Sequence, residues 1–111
     1  MAGTLKRISG PAFLAAAAAN IYTPPASTIY TVIRQIHLAN VTATAATATL
    51  YVGATGGSAA GTELLKGVSI PANSEYYLSL VLRMDSTDFL SGLSGTASAI
   101  TIIVEGELNV V

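Results

Sequence analysis

Residues 28–52 alternate between apolar and polar side chains, and this alternation constrains the fold more than any other stretch of the chain. In the second half of the stretch the apolar residues recur at every other position, with Thr and Tyr between them: Ala46, Ala48, Leu50 and Val52 against Thr47, Thr49 and Tyr51. A period of two indicates a β-strand with one buried face. The sequence therefore predicts two long strands, residues 28–40 and 45–52.

The first of these strands does not keep a single parity. Ile36 and Leu38 fall on one face, but Ile33 falls on the other. A regular strand cannot send all three side chains into one core, because an odd step along the chain reverses the face. We therefore expect a bulge or bend near Arg34 and Gln35.

Further strand patterns follow, separated by turn-forming Gly, Pro, Asn and Asp residues. The clearest are residues 75–83 and residues 98–111, where Gly106 interrupts the apolar face and predicts a bend or a close backbone approach. Shorter segments are residues 4–9, 20–23, 62–70 and 88–91, with residues 92–95 expected to form a loop. This pattern predicts an all-β fold, an antiparallel β-sandwich or jelly roll of about seven to nine short strands.

The first twenty residues form a segment of different character. We expect residues 1–20 to be an N-terminal arm or edge strand that pairs with the C-terminal strand or with a neighbouring subunit, and residues 21–111 to be the β-sandwich domain. The alanines at positions 15–19 could also form one or two helical turns. Lys6 and Arg7 before an apolar run imitate a signal peptide, but Gly10 and Pro11 interrupt the approach to that run, and we expect the segment to be retained.

Composition limits the partners that this chain is expected to bind. Charged residues make up 10% of it, against about 25% in a typical domain. The five Lys and Arg residues are dispersed and the net charge is −1, so no basic stripe for nucleic acid is expected. No apolar run approaches the ~20 residues that span a bilayer, so no membrane partner is expected. Cysteine is absent, which rules out a disulfide framework and thiolate metal sites.

Residue types that carry chemistry are few and isolated. His37 is the single histidine, and a metal site needs several ligands. Glu105 and Glu107 share one face of a strand, but a catalytic acid pair needs an enclosing cleft, so we expect a solvated face. The glycine-rich residues 53–61 lack the Lys-Ser/Thr ending of a phosphate-binding loop. We therefore predict no catalytic, cofactor or metal site, and no enzyme.

Four residues are apolar or aromatic on the polar faces of their strands. They are Tyr51, Tyr77, Val81 and Ile103. Large apolar patches on single proteins are uncommon unless a partner covers them. We take these four as candidate subunit-interface residues.

Four segments also occur in a recognisable order: Ile21-Tyr22-Thr23-Pro24-Pro25, VIRQIHLAN (residues 32–40), ATATLYVG (46–53) and VSIPANSEYYL (68–78). In these segments the chain resembles a group of small virion proteins of tailed bacteriophages. Those proteins run LYTVPAG, an aliphatic strand ending in I-x-V-A-N, a Thr/Ala-rich strand, L-x-A-G-x-S and a final Val/Thr strand. The resemblance extends from Ile21 to the C-terminus. This chain departs from it with Pro25 and Ala26, and with Asn73, where turns with Gly are usual.

The resemblance implies a non-catalytic virion protein without cofactors. Its most direct form is a capsid decoration protein, of the cement or minor capsid kind, made in the host cytoplasm. It would bind the major capsid protein on the exterior of the head and associate with itself, with a trimer favoured. A tail, baseplate or fibre component of the same fold is the alternative. A third class is a carbohydrate-binding β-sandwich, which would stack sugars on Tyr51 or Tyr77.

Overall fold

A computed structural model describes residues 4–110, which form eight β-strands and no helix. The strands are β1 (Thr4–Phe13), β2 (Ala19–Tyr22), β3 (Thr28–Asn40), β4 (Ala46–Gly53), β5 (Glu63–Ile70), β6 (Glu75–Asp85), β7 (Phe89–Ser94) and β8 (Ile100–Val110). They build two antiparallel sheets of four strands each. The predicted all-β sandwich of seven to nine strands is therefore confirmed. Residues 4–110 contain no helix of the length and apolarity needed to cross a bilayer.

The strand order identifies the sandwich as a jelly roll. Sheet A has the order β1-β8-β3-β6, and sheet B has the order β2-β7-β4-β5. The antiparallel pairs β1·β8, β2·β7, β3·β6 and β4·β5 are those of one long hairpin with its tip between β4 and β5. The pairs β3·β8 and β4·β7 then close the two sheets. An eight-stranded hairpin rolled into two sheets in this way is the jelly-roll arrangement.

The core lies between the sheets and is formed by the apolar side of the alternating strands. Its fully buried aliphatic side chains come from both sheets: Ile33, Ile36, Leu38, Met84, Ile100, Ile102 and Val104 from sheet A, and Leu50, Ile70 and Leu90 from sheet B. The register of β3 shifts between Ile33 and Gln35 against both β6 and β8. This irregularity confirms the bulge predicted from parity, and it lets residues on both sides of it reach the same core.

Gly106 lies in β8 opposite this bulge. It pairs with Ile33, and a Cβ added to it would lie 2.0 Å from the carbonyl oxygen of Val32. No side chain fits at that distance, so the close backbone approach predicted for Gly106 is confirmed. Gly106 therefore lets the backbone of β8 pack closely against β3 beside the bulge.

The N-terminal segment belongs to the sandwich of its own chain. β1 is an edge strand of sheet A and pairs with the C-terminal strand β8. Residues 14–18 form a bend rather than the helical turn considered for the alanine run. Leu14 is buried there, its N–H donates to the Ile100 carbonyl, and the Ala15 carbonyl accepts from the Ser94 N–H. The bend carries the chain from sheet A to sheet B, and β2 crosses the division placed at residue 20.

β7 is longer than the sequence pattern indicates. Residues 92–94, predicted to be a loop, continue the strand, since Leu93 pairs with Thr49 and Ser94 with Ala48. Gly92 stands in the middle of this strand because a Cβ there would lie 2.7 Å from the Leu50 side chain. The glycine that suggests a loop in the sequence is thus required by close packing inside a sheet.

Candidate interaction surface

Three of the four predicted interface residues lie on the outer face of sheet A. His37 in β3 pairs with Tyr77 in β6 on one side and with Ile103 in β8 on the other, so the three form a row across the sheet. Val81 follows four residues along β6 and is 75% exposed, while Tyr77 is 55% exposed. Ile103 is half-buried between its neighbours.

Tyr51 lies on the other sheet and is only 7% exposed. Its cross-strand neighbour Ser91 is fully buried and donates a hydrogen bond of 2.6 Å to the carbonyl of Gly57. The glycine-rich loop between β4 and β5 therefore folds back over this end of sheet B. Tyr51 does not present its ring to a partner or to a sugar in this arrangement. The alternation of side chains along a strand predicts which face of the sheet a residue lies on. It does not predict whether a loop covers that face.

Glu75, His37 and Tyr77 form a compact polar cluster at one end of sheet A. The rings of His37 and Tyr77 stack with centroids 4.5 Å apart and an interplanar angle of 6°. The Tyr77 hydroxyl donates to Glu75 Oε2 at 2.7 Å, and His37 Nε2 lies 2.9 Å from the same oxygen. The hydrogen bond from Tyr77, followed by that from His37, lowers the pKa of the Glu75 carboxyl. The same carboxylate raises the pKa of the Tyr77 hydroxyl.

This cluster offers an exposed aromatic surface on which a partner can pack. Glu75 and Tyr77 are exposed and His37 is half-buried, so solvent reaches all three groups. Residues 4–110 contain no group of three or more His, Cys, Asp or Glu side chains placed to hold a metal ion. Two side chains anchored on one carboxylate hold the Tyr77 ring in a fixed orientation, and a ring fixed in this way loses little conformational entropy when a partner packs on it.

The exposed apolar side chains of the described strands are concentrated on sheet A. The large ones are Leu5 and Phe13 in β1, Ile29 in β3, and Tyr77 and Val81 in β6. One more, Val41, lies in the connection after β3. Among residues 4–110, no strand of sheet B carries an exposed large apolar side chain. A one-sided distribution of this kind is typical of a protein that buries one face against a partner.

The β1 half of sheet A adds a charged depression of about 410 Å³. It is lined by Leu5, Lys6, Arg7, Arg34, Gln35 and Glu105. Arg34 forms an ion pair with Glu107, and Arg7 lies opposite Glu105 in the register of β1 and β8. Each member of the Glu105–Glu107 pair therefore faces a cation across the strands. The sequence predicted the bulge near Arg34 and, as one alternative, the pairing of the N-terminal segment with the C-terminal strand, but it did not predict the depression that the two form together.

The fold and its exposed residues thus define a jelly roll whose exposed large apolar side chains lie mainly on one sheet, beside most of its charged residues. No protein-family model matches this chain, and neither a curated protein nor a solved structure matches it.

Proposed function

We propose that this chain is a structural protein of a tailed-bacteriophage virion, and that it acts as a capsid decoration protein. The observation that carries the proposal is the concentration of exposed apolar side chains on one sheet of a jelly roll. Jelly rolls build viral capsid proteins, but also lectins and cupins, so the fold supports this role by analogy alone. The resemblance of residues 21–111 to phage virion proteins is what favours the virion among these uses.

The outer face of sheet A near β1 is the surface we assign to the head shell. Leu5 and Phe13 provide apolar contact area there, and the depression that Leu5 lines offers Lys6, Arg7 and Arg34 for polar contacts. Specific interfaces commonly combine an apolar centre with a polar rim, and bury about 800 Å² on each partner. A protein that binds the assembled shell and not its free subunits stabilises the shell by mass action. No catalytic step is needed for this role.

The test uses head shells that lack this protein. Purified protein is added to them, and both its binding and the temperature at which the shells rupture are measured. We expect binding to raise the rupture temperature. Leu5→Ser and Phe13→Ser should each weaken binding by roughly ten- to a hundredfold, because a buried large apolar side chain contributes roughly 1.5–3 kcal/mol.

Val41→Ser is the matched control, since Val41 and Phe13 are both 54% exposed but Val41 lies outside the strands. It should bind like the unmodified protein. Full heat resistance of shells without the protein would contradict a cementing role. A small number of copies per virion, located on the tail, would instead assign the chain to the tail, baseplate or fibre.

A further inference from the structure

The four edge strands of the sandwich are unequally protected against pairing with another strand. β2 has four residues and is followed by Pro24 and Pro25. β1 contains Pro11 and two register shifts, and β5 contains Lys66 and a glycine of positive φ at Gly67. Short length, proline, lysine and irregular backbone are the usual devices that block an exposed sheet edge. β1, β2 and β5 each combine at least two of them.

β6 is the edge that carries the fewest of these devices: a single register shift against β3, between Ser79 and Leu82. It has eleven residues, contains neither proline, glycine nor lysine, and alternates in exposure along its whole length. Its core-side residues Tyr76, Leu78, Leu80 and Leu82 are only half-buried, whereas the core-side residues of β3 and β8 are almost all fully buried. The free edge therefore leaves apolar area uncovered on the inner side as well as on the outer side. A further strand beside β6 would cover both.

The outward residues of β6 indicate what that strand is. In order they are Glu75, Tyr77, Ser79, Val81 and Arg83. We propose that β6 pairs antiparallel with β6 of a second copy of this chain, about a two-fold axis at Ser79. In this register Glu75 lies opposite Arg83 of the second copy, Tyr77 opposite its Val81, and Ser79 opposite itself. Every outward pair is then of opposite charge, apolar, or a pair of hydroxyls, and each such cross-strand pair is favourable.

Other registers lose this complementarity. A two-fold axis at Leu80 places Glu75 opposite Asp85, which is a pair of like charges. An axis at Leu78 places Glu75 opposite Val81 and leaves Arg83 beyond the paired region. A shift by a single residue sets outward side chains against core-side ones, because the strand period is two. The contact is isologous, as in most homodimers, so it favours a dimer over the trimer implied by the resemblance.

The charges of β6 have partners within their own chain, but those pairs are exposed and can be exchanged. Arg83 lies 3.3 Å from Asp85 and stacks 4.3 Å above the Tyr30 ring, while Glu75 is held by the His37–Tyr77 cluster. Arg83, Asp85 and Glu75 are all exposed, and exposed ion pairs contribute little. Pairing across the two-fold axis can therefore replace or supplement them. The result is one continuous eight-stranded sheet with the exposed apolar residues of both copies on the same face, and it does not depend on the proposed virion role.

Sedimentation equilibrium of the full chain tests the proposal. We expect a concentration-dependent species of twice the 11.2 kDa chain mass. Glu75→Arg and Arg83→Glu should each weaken dimerisation about tenfold, since the symmetry places each like-charge pair twice. The double variant that exchanges both charges restores the pairs and should return dimerisation to within about threefold of the unmodified chain. A monomer at all concentrations, a trimer, or a double variant without rescue overturns the proposal.

A cross-linking experiment tests the register separately. Because the chain has no cysteine, an introduced cysteine can form a disulfide only with its counterpart in a second copy. In Ser79→Cys the two new thiols lie opposite each other, within the Cα separation that a disulfide spans. Mild oxidation should convert most of this variant to a covalent dimer. Ser69→Cys is the matched control, because Ser69 is exposed on β5, the edge strand of the other sheet that carries Gly67. Equal cross-linking of the two variants, or none in Ser79→Cys, overturns the proposal.

Discussion

Replacing Asn40 by Asp should lower the stability of the fold strongly, although the two side chains have nearly the same size and shape. Asn40 is buried at the end of β3, where the chain leaves sheet A for sheet B. Its amide nitrogen donates to the carbonyls of Thr44 and Ile70, at 2.8 and 3.0 Å. Its amide oxygen accepts from the N–H and the hydroxyl of Thr42, at 2.9 and 2.7 Å. One side chain thus ties the β3–β4 connection to the end of β5.

The magnitude follows from the two lost donors. A carboxylate of the same shape can still accept from Thr42, but it cannot donate to the Thr44 and Ile70 carbonyls; of these, the Thr44 carbonyl has a second donor in the Thr42 hydroxyl at 2.9 Å. A buried polar group left unpaired costs about 1–3 kcal/mol, so the loss at the Ile70 carbonyl alone should lower the free energy of unfolding by roughly 1–3 kcal/mol. Two carbonyl oxygens facing the carboxylate also raise its pKa in the folded state above the unfolded value of about 3.9. The penalty should therefore be larger at pH 7 than below pH 4, where the protonated acid can donate one bond.

Urea denaturation followed by circular dichroism, at pH 7 and at pH 4, measures both quantities. The slope of free energy against urea should stay unchanged, so that the shift in midpoint reports stability alone. Asn20→Asp is the control, since Asn20 is exposed and such changes are usually within about 0.5 kcal/mol. A loss below about 1 kcal/mol in Asn40→Asp, or one that does not depend on pH, would refute the reasoning about its two donors.

Three further changes test other features of the fold. Gly106→Ala should destabilise by about 1–3 kcal/mol or more in thermal unfolding, because the new Cβ meets the Val32 carbonyl oxygen at 2.0 Å; a neutral result would mean that the β3 bulge yields. Thr28→Val should be neutral or stabilising by the same assay, because the buried Thr28 hydroxyl has no hydrogen-bond partner among residues 4–110; a clear loss would reveal a bond to that hydroxyl. Tyr77→Phe should raise the pKa of Glu75 in an NMR titration, since the Tyr77 hydrogen bond is the largest cause of its lowering; an unchanged pKa would assign the effect to the histidine.

The lowered pKa of Glu75 also gives a direction for the dependence of stability on pH. The folded-state pKa lies below the unfolded one, so the contribution is fully present above the unfolded value of about 4.5 and is lost as the pH falls through the folded value. Tyr77 behaves in the opposite sense, because its folded-state pKa is raised: its contribution is lost as the pH rises through that value. Both groups are exposed, so both effects should be small, and the directions of the two pKa shifts place them at the acidic and the alkaline end of the pH range.

Side-chain parity was sufficient to predict much of the fold. The predicted strand at residues 28–40 coincides with β3, and the bulge near Arg34 followed from the conflict between Ile33 and Ile36. The reason is that a half-buried strand must alternate, so that a break in alternation locates an irregular backbone. Gly106 was predicted for the same reason, as a gap in an otherwise apolar face.

The candidate surface was predicted less completely, because a surface depends on which strands become neighbours. Tyr77 and Val81 were found from parity alone, since they are apolar on an outward face. Tyr51 satisfied the same rule, yet the glycine-rich loop lies over its sheet and leaves it buried. The depression beside Arg34 depends on the register of β1 against β8, and the sequence offered that pairing as one of two alternatives without a register.

The segments that carry the resemblance to phage virion proteins are largely the segments that build the fold. Within QIHLAN, Ile36 and Leu38 are core residues, and Asn40 holds the crossing between the sheets. A shared pattern at such positions follows from a shared packing problem, and packing residues do not contact a partner. The outward residues Leu5 and Phe13 lie before the region of resemblance, and Val81 lies after its last quoted segment. The resemblance therefore supports the architecture more strongly than it supports a particular place in a virion, and the variants at these exposed positions are the ones that decide between head, tail and another use of the same jelly roll.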